Sequence, residues 1–294
     1  VQTYPRRYEI RFKIANELYA MGRYEDSLRQ YDAVLQARPG SGTAAVGKAN
    51  ALLSLGRNNE ARSIALKLSG KKETKGDGHY LLGKIAGKQG DHQEAVLRLT
   101  RAGKEKPEVI DLWVSLARSY LEINQPAEAV KALATGIEYN PQAFELYLLA
   151  GKVELERQQY AQANAYFGKA IELEPASLRA QKLYARSLFA SRNYRAATIH
   201  AEVAARIAPR DIDVLVLQAD IANQQGKTGS AIEILKTAIS LDAASAELQY
   251  RIGRVYQNAN LFDESRVHLE KAAAIRPSCC LLYTSDAADD SIRV

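Results

Sequence analysis

A 34-residue period constrains this chain more than any other feature of it. Seven of its eight prolines (Pro5, Pro39, Pro107, Pro141, Pro175, Pro209 and Pro277) fall on one phase of that period, and only Pro126 does not. Glu73 and Ala243 take the two remaining places. When each repeat is numbered with its proline at position 32, small residues recur at position 8: Ala15, Ala49, Gly83, Ala117, Gly151, Ala185, Ala219 and Gly253. A second small row recurs at position 20: Ser27, Ala61, Ala95, Ala129, Ala163, Ala197, Ala231 and Ser265. No insertion or deletion breaks this register. A fixed period of this length marks a repeat architecture, in which each unit buries its apolar face only by stacking on its neighbours.

Inside one period, apolar residues three and four apart trace two amphipathic stripes separated by a short turn. In the first repeat these are Phe12, Ala15 and Leu18, then Tyr24, Leu28, Tyr31 and Leu35, with Gly22 ending the first helix. The spacing predicts an all-α fold, a solenoid of eight helix-turn-helix repeats. These occupy 8–41, 42–75, 76–109, 110–143, 144–177, 178–211, 212–245 and 246–278, in one array without an internal domain boundary. Residues 1–7 read as the tail of a preceding, truncated repeat. The run from Ser69 to Gly78 holds three glycines and no apolar residue and reads as a hinge. Repeat three, with Gly83, Gly87 and Gly90 on its first helix, reads as the softest part of the array, because a glycine inside a helix costs roughly 0.5–1 kcal/mol relative to alanine.

The tail needs separate treatment. The period stops after Pro277, and the run Cys280 to Asp290 (CLLYTSDAADD) reads as translated sequencing adapter. Residues 279–294 are therefore set aside as non-native. That removes both cysteines and leaves no disulfide or thiolate site. It also removes Asp286, Asp289, Asp290 and Arg293, so 40 basic and 34 acidic residues become 39 and 31, and the net charge rises from +6 to +8. No run approaches the roughly 18 apolar residues of a membrane span, and no secretory leader is visible. The chain begins at Val1, part-way through a repeat, so further sequence is expected upstream.

Several motifs suggest chemistry and fail on inspection. Gly42 to Ala49 nearly spells a phosphate-binding loop, but Ala49 stands where a hydroxyl must hold magnesium, and Gly47 and Lys48 fall inside a helix of the repeat frame. Gly226 to Thr228 is the turn between two helices. The four histidines, His79, His92, His200 and His268, are far apart in sequence, and His79 reads as a satisfied core histidine. No nucleophile motif is present. The chain is expected to be non-enzymatic, with no metal, cofactor or small-molecule substrate.

The repeat resembles the tetratricopeptide repeat family. The family's aromatic at position 4 is matched by Trp113 and Tyr147, and its tyrosine at position 11 by Tyr120 and Tyr256. The aromatic at 17 is matched by Tyr24, Tyr160, Tyr194 and Phe262. Repeats two and three match least, with Ala45 and His79 at position 4 and Glu73 in place of proline. The resemblance implies a right-handed superhelix whose first helices line a concave groove through positions 2, 5, 9, 12 and 13. Carried onto this chain, position 9 supplies Asn16, Asn50, Lys84, Arg118, Lys152 and Arg186. Position 5 supplies Tyr80, Val114 and Leu148, and position 12 supplies Tyr19, Leu121, Leu155 and Phe189.

Two readings of that surface stand side by side. It is either a ligand groove for an acidic and apolar protein segment, or a solvated face whose charges pair locally, Arg118 with Glu122 and Lys152 with Glu156. Asn16 and Asn50 resemble two rungs of a backbone-binding asparagine ladder. The family's carboxylate clamp is not matched, since Phe12, Gly47, Asp77 and Leu81 occupy its other places. The functional expectation is a protein-interaction scaffold with a protein or peptide partner. The alternative is the recognition arm of a larger enzyme or envelope assembly. Nucleic acid is not expected as a partner, because the acids at position 2 (Glu9, Asp77, Asp111, Glu145, Asp213, Glu247) would repel phosphates.

Overall fold

The computed structural model describes residues 6–276, with side chains from Tyr8 onward. Residues 1–5 of the truncated repeat and the adapter-like run 279–294 lie outside the described residues. Among the described residues the chain forms sixteen α-helices and no strand. They are α1 (Arg6–Ala20), α2 (Tyr24–Ala37), α3 (Gly42–Ser54), α4 (Asn58–Ser69), α5 (Lys75–Lys88), α6 (His92–Glu105), α7 (Ile110–Glu122) and α8 (Pro126–Tyr139). There follow α9 (Phe144–Glu156), α10 (Tyr160–Leu173), α11 (Leu178–Ala190), α12 (Tyr194–Ile207), α13 (Ile212–Gln224), α14 (Thr228–Leu241), α15 (Ala246–Asn258) and α16 (Phe262–Ile275). A short 3-10 turn, Lys72–Thr74, precedes α5. Every second helix starts at position 17 of its repeat, so the frame read from the prolines is the frame of the fold.

Local chemistry explains both helix ends. At position 15 the backbone takes a positive φ in all eight repeats: Gly22, Gly56, Asn124, Gln158, Gly90, Arg192, Gly226 and Asn260. One left-handed residue reverses the chain direction between paired helices, and glycine or asparagine accepts that geometry most easily. The second helices stop two residues before the periodic proline, and the residue ahead of it leaves the helical region, as at Arg38 (φ −138°, ψ 81°) and Glu174 (φ −131°, ψ 80°). Steric clash with the proline ring imposes that conformation.

The small rows are where paired helices touch. Ala15, Ala49, Ala117 and Ala185 are completely buried, as are Ala61, Ala129 and Ala197 opposite them. Where position 20 is serine, its hydroxyl donates to the carbonyl of position 8: Ser27 Oγ to Ala15 O at 2.7 Å, and Ser265 Oγ to Gly253 O at 2.9 Å. Both hydroxyls are thereby satisfied inside an apolar contact. The chain falls into two compact units, Val1–Val153 and Glu154–Val294. In the first, Tyr31, Leu52, Leu81 and Ile85 are central to a continuous core. In the second, Leu235, Leu248 and Ile252 anchor one core cluster, and Leu188, Ala201 and Ile221 another.

The glycine-rich stretch differs from the loose hinge that its composition suggests. Only Gly70–Glu73 forms an exposed connection; α5 begins at Lys75 and carries Gly76 and Gly78, both buried. These glycines let α5 lie against its neighbours at a distance that a side chain would not permit.

Position 4 carries a second recurring device. Trp113 Nε1 donates to Pro107 O at 2.7 Å, Tyr147 Oη to Pro141 O at 3.3 Å, and Gln181 Nε2 to Pro175 O at 2.8 Å. A side chain that is bulky but ends in a donor therefore closes each of these turns. In repeats one, six and eight a polar residue at position 4 also meets position 23 on the paired helix. Arg11 Nη1 reaches Gln30 Oε1 at 3.2 Å, while His200 Nδ1 and His268 Nδ1 lie 2.9 and 2.7 Å from Gln181 and Gln249 Oε1.

Burial pushes the pKa of both His200 and His268 below the ordinary 6.5, and Lys271 and Lys236 add to the effect at His268. The unfolded chain therefore binds protons at these sites more readily than the folded one. The stability they contribute is complete above pH 6.5 and is lost as the pH falls through 6.5 toward the folded values. Thermal melting of the native chain should fall over that window, and His200→Gln with His268→Gln should flatten the fall. An unchanged slope would mean that neither histidine is constrained.

Candidate functional site

In the first unit, the expected groove residues divide by burial. Val114 and Leu148 are 5 % and 0 % exposed, so position 5 faces the core in these repeats and offers nothing to a ligand. That corrects the sequence expectation: the stripe facing the partner helix is wider than the pattern suggested. Asn16 is exposed, but its Oδ1 accepts from Tyr31 Oη at 2.6 Å, which makes it a strut between α1 and α2 rather than an open rung. Asn50 is half-buried. Tyr19 is half-buried, its hydroxyl 3.2 Å from Ser54 Oγ and its ring tilted on Tyr24.

The basic row is also partly neutralised. Lys84 Nζ donates to Asp111 Oδ2 at 2.9 Å and to Tyr80 Oη at 3.3 Å, and the Tyr80 hydroxyl also donates to Asp111. Burial alone would raise the Asp111 pKa, but the bonds from Tyr80 and Lys84 outweigh it and hold the carboxyl low. Desolvation first, and then the carboxylate of Asp111, drive the Tyr80 hydroxyl far up. The acid at position 2 thus takes the base at position 9 of the preceding repeat, a pairing that comparison within single helices does not disclose. Arg118 is exposed and forms no ion pair among the described residues; Leu121 beside it is half-buried, and Lys152 is exposed.

In the second unit the first helices α11, α13 and α15 enclose a cavity of about 500 Å³. Its floor is apolar, with Leu183, Phe189, Val216, Leu217 and Leu248. Ion pairs stand on either side. Lys182 Nζ is 3.1 Å from Asp211 and 2.9 Å from Asp213, and Arg251 is 2.9 Å from Asp220 and 2.7 Å from Glu247. Desolvation raises the Asp220 pKa despite Arg251 beside it. Arg186 lines the same cavity, is exposed, and has no ion-pair partner among the described residues. Of the expected groove residues, the structure brings Arg186 and Phe189 together here; Leu155, on α9, is half-buried. The sequence reading named Asp213 only as a position-2 acid that repels phosphate and did not single out Asp220 or Arg251; the readable sign of Arg251 was Glu247 one helical turn before it.

Among the described residues no group of three or more histidine, cysteine or acidic side chains could hold a metal ion. No helix there is long and apolar enough to cross a membrane.

Paired helices in exact register, with small residues at each crossing, define the class as a helical-repeat protein. Two family profiles, both described as tetratricopeptide repeat, match residues 88–153 and 222–283, and residues 12–70 and 148–212. The chain belongs to the tetratricopeptide repeat family. No curated protein matches it. Solved structures share its fold: residues 41-end of MamA from Desulfovibrio magneticus RS-1 align at TM-score 0.55 and 19% identity, covering 57% of this chain and 96% of that one. YrrB, described as a TPR protein with an unusual peptide-binding site, aligns at TM-score 0.54 and 18% identity, covering 64% and 97%. Cut9–Hcn1, an APC/C hetero-tetramer, aligns at 0.51 and 16% identity over 94% of this chain and 54% of that one.

Proposed function

We propose that this protein is a non-enzymatic interaction scaffold, and that the α11–α13–α15 groove takes an extended protein segment. The observation that carries this is the unpaired Arg186 beside an apolar floor in a cavity of about 500 Å³. The segment presents apolar side chains to Phe189, Leu217 and Leu248 and a carboxylate to Arg186. The flanking pairs, Lys182 with Asp213 and Arg251 with Asp220, balance their own charges and set register rather than attraction. This narrows the expected acidic preference from a continuous basic row to two points, Arg186 here and Arg118 in the first unit. A YrrB-like mode of peptide capture is consistent with this reading.

Displayed peptide libraries panned on the whole chain should yield segments joining an acidic residue to apolar ones. Calorimetric titration of a selected peptide should weaken about tenfold or more with Arg186→Glu and weaken with Phe189→Ala, with melting retained. Reversal at Lys131 and Lys169, on second helices, should leave affinity within about twofold. Equal losses from groove and second-helix reversals would overturn the proposal.

A further inference from the structure

Repeat three breaks the pairing rule of positions 4 and 23. In repeats one, six and eight a polar residue at position 4 bonds one at position 23, an arginine to a glutamine or a glutamine to a histidine. In repeat three the same positions hold His79 and Arg98, which do not bond each other. Arg98 turns away to Glu94, with Nε 2.6 Å from Oε1. His79 is left 7 % exposed, and its Nδ1 has no hydrogen-bond partner among the described residues. A buried, unsatisfied ring nitrogen costs free energy that other polar residues at position 4 avoid.

His79 lines a cavity of about 270 Å³ together with Lys75 of α5 and Arg101, Lys104 and Glu105 of α6. Glu105 is held by Lys75, at 3.5 Å. Arg101 and Lys104 have no ion-pair partner among the described residues. Three cationic side chains and one carboxylate therefore surround the imidazole, an excess of two positive charges. Burial first, and then Arg98, Arg101 and Lys75, lower the His79 pKa, while Glu105 opposes them. The buried imidazole thus sits beneath exposed side chains that together are short of negative charge.

We propose that this cavity between α5 and α6 is a phosphoryl-binding site. A phosphate group near neutrality carries close to two negative charges and several acceptor oxygens, which matches the charge excess and the surrounding N–H donors. The imidazole becomes a donor to one of its oxygens. The phosphoryl group comes either as inorganic phosphate or on a serine of a bound protein segment. This site is on a different unit from the α11–α13–α15 groove and does not rest on it.

The chain has four histidines, so imidazole resonances in the NMR spectrum of the whole protein report each one separately. Phosphate titrated at constant ionic strength should move the His79 signal saturably and leave His92, His200 and His268 in place. Arg101→Glu with Lys104→Glu should weaken the response about tenfold or more with melting retained, because both side chains are exposed. A phosphoserine peptide that binds more tightly than phosphate and than its unphosphorylated form identifies a protein-borne group; affinity equal to that of phosphate identifies the free anion. The proposal falls if His79 does not respond saturably, if chloride moves it equally, or if the double reversal leaves the phosphate response intact.

Discussion

Truncating Phe167 to alanine is expected to cost about 3–5 kcal/mol, the largest effect of any single substitution considered for this chain. Phe167 is 0 % exposed and is the bulkiest fully buried side chain among the described residues. Its ring lies on α10 with its centroid 6.4 Å from that of Tyr184 on α11, and Tyr184 in turn rests on His200 at 4.5 Å. Removing the ring takes away transferred apolar area and leaves a void. The helices around it are pinned by alanine contacts and cannot close inward. Phe167→Leu should lose much less, since most of the volume remains. Denaturant midpoints of both variants, at an unchanged slope, measure the difference. A loss below about 1 kcal/mol for alanine would mean that the site collapses freely and that α10 and α11 are not held in register.

The fold was legible because its signals are steric requirements repeated eight times. A helix pair cannot cross closely without small residues at positions 8 and 20, and a proline at 32 cannot continue a helix. The small rows reappear in all eight repeats and the proline in six of them, so one frame explained Ala15, Ala185 and Pro175 alike. The turn at position 15 was half visible: Gly22, Gly56, Gly90, Gly226, Asn124 and Asn260 mark it, whereas Gln158 and Arg192 adopt the same φ without saying so in their chemistry.

The candidate site was less legible, for a different reason. Its chemistry depends on pairs formed between helices, and a one-dimensional frame shows only neighbours along one helix. Lys84 stood in the position-9 row with no acid one turn away on its own helix, yet Asp111 on another helix neutralises it. Leu148 read as a groove contact because position 5 lies on the groove side in the family, yet here it is fully buried. Gln181 with His200, and Gln249 with His268, were present in the sequence at matching positions of repeats six and eight. That repeated pair was a readable sign of contact, and it is what makes His79 opposite Arg98 stand out.

Composition and geometry disagree most at the glycines, and Gly78→Ala decides between the two readings. In a loose hinge, alanine would stabilise by roughly 0.5–1 kcal/mol, since it restricts the unfolded chain and favours helix. The geometry predicts the opposite. A Cβ on Gly78 would sit 2.2 Å from Ser69 N, 2.6 Å from Ser69 Cα and 2.8 Å from Ala65 O. All three are backbone atoms of the end of α4, so no rotamer change relieves the clash, and α5 must move off α4. Overpacking of this kind costs about 1–3 kcal/mol, which outweighs the gain in helix propensity. Gly229→Ala is the matched control: Gly229 lies within α14 and nothing would touch its Cβ. That variant should melt at or above the parent temperature while Gly78→Ala melts several degrees below it. If both alanines stabilise, Ser69–Gly78 is the slack segment its composition describes; if only Gly229→Ala does, the glycines of α5 are there to let two backbones meet.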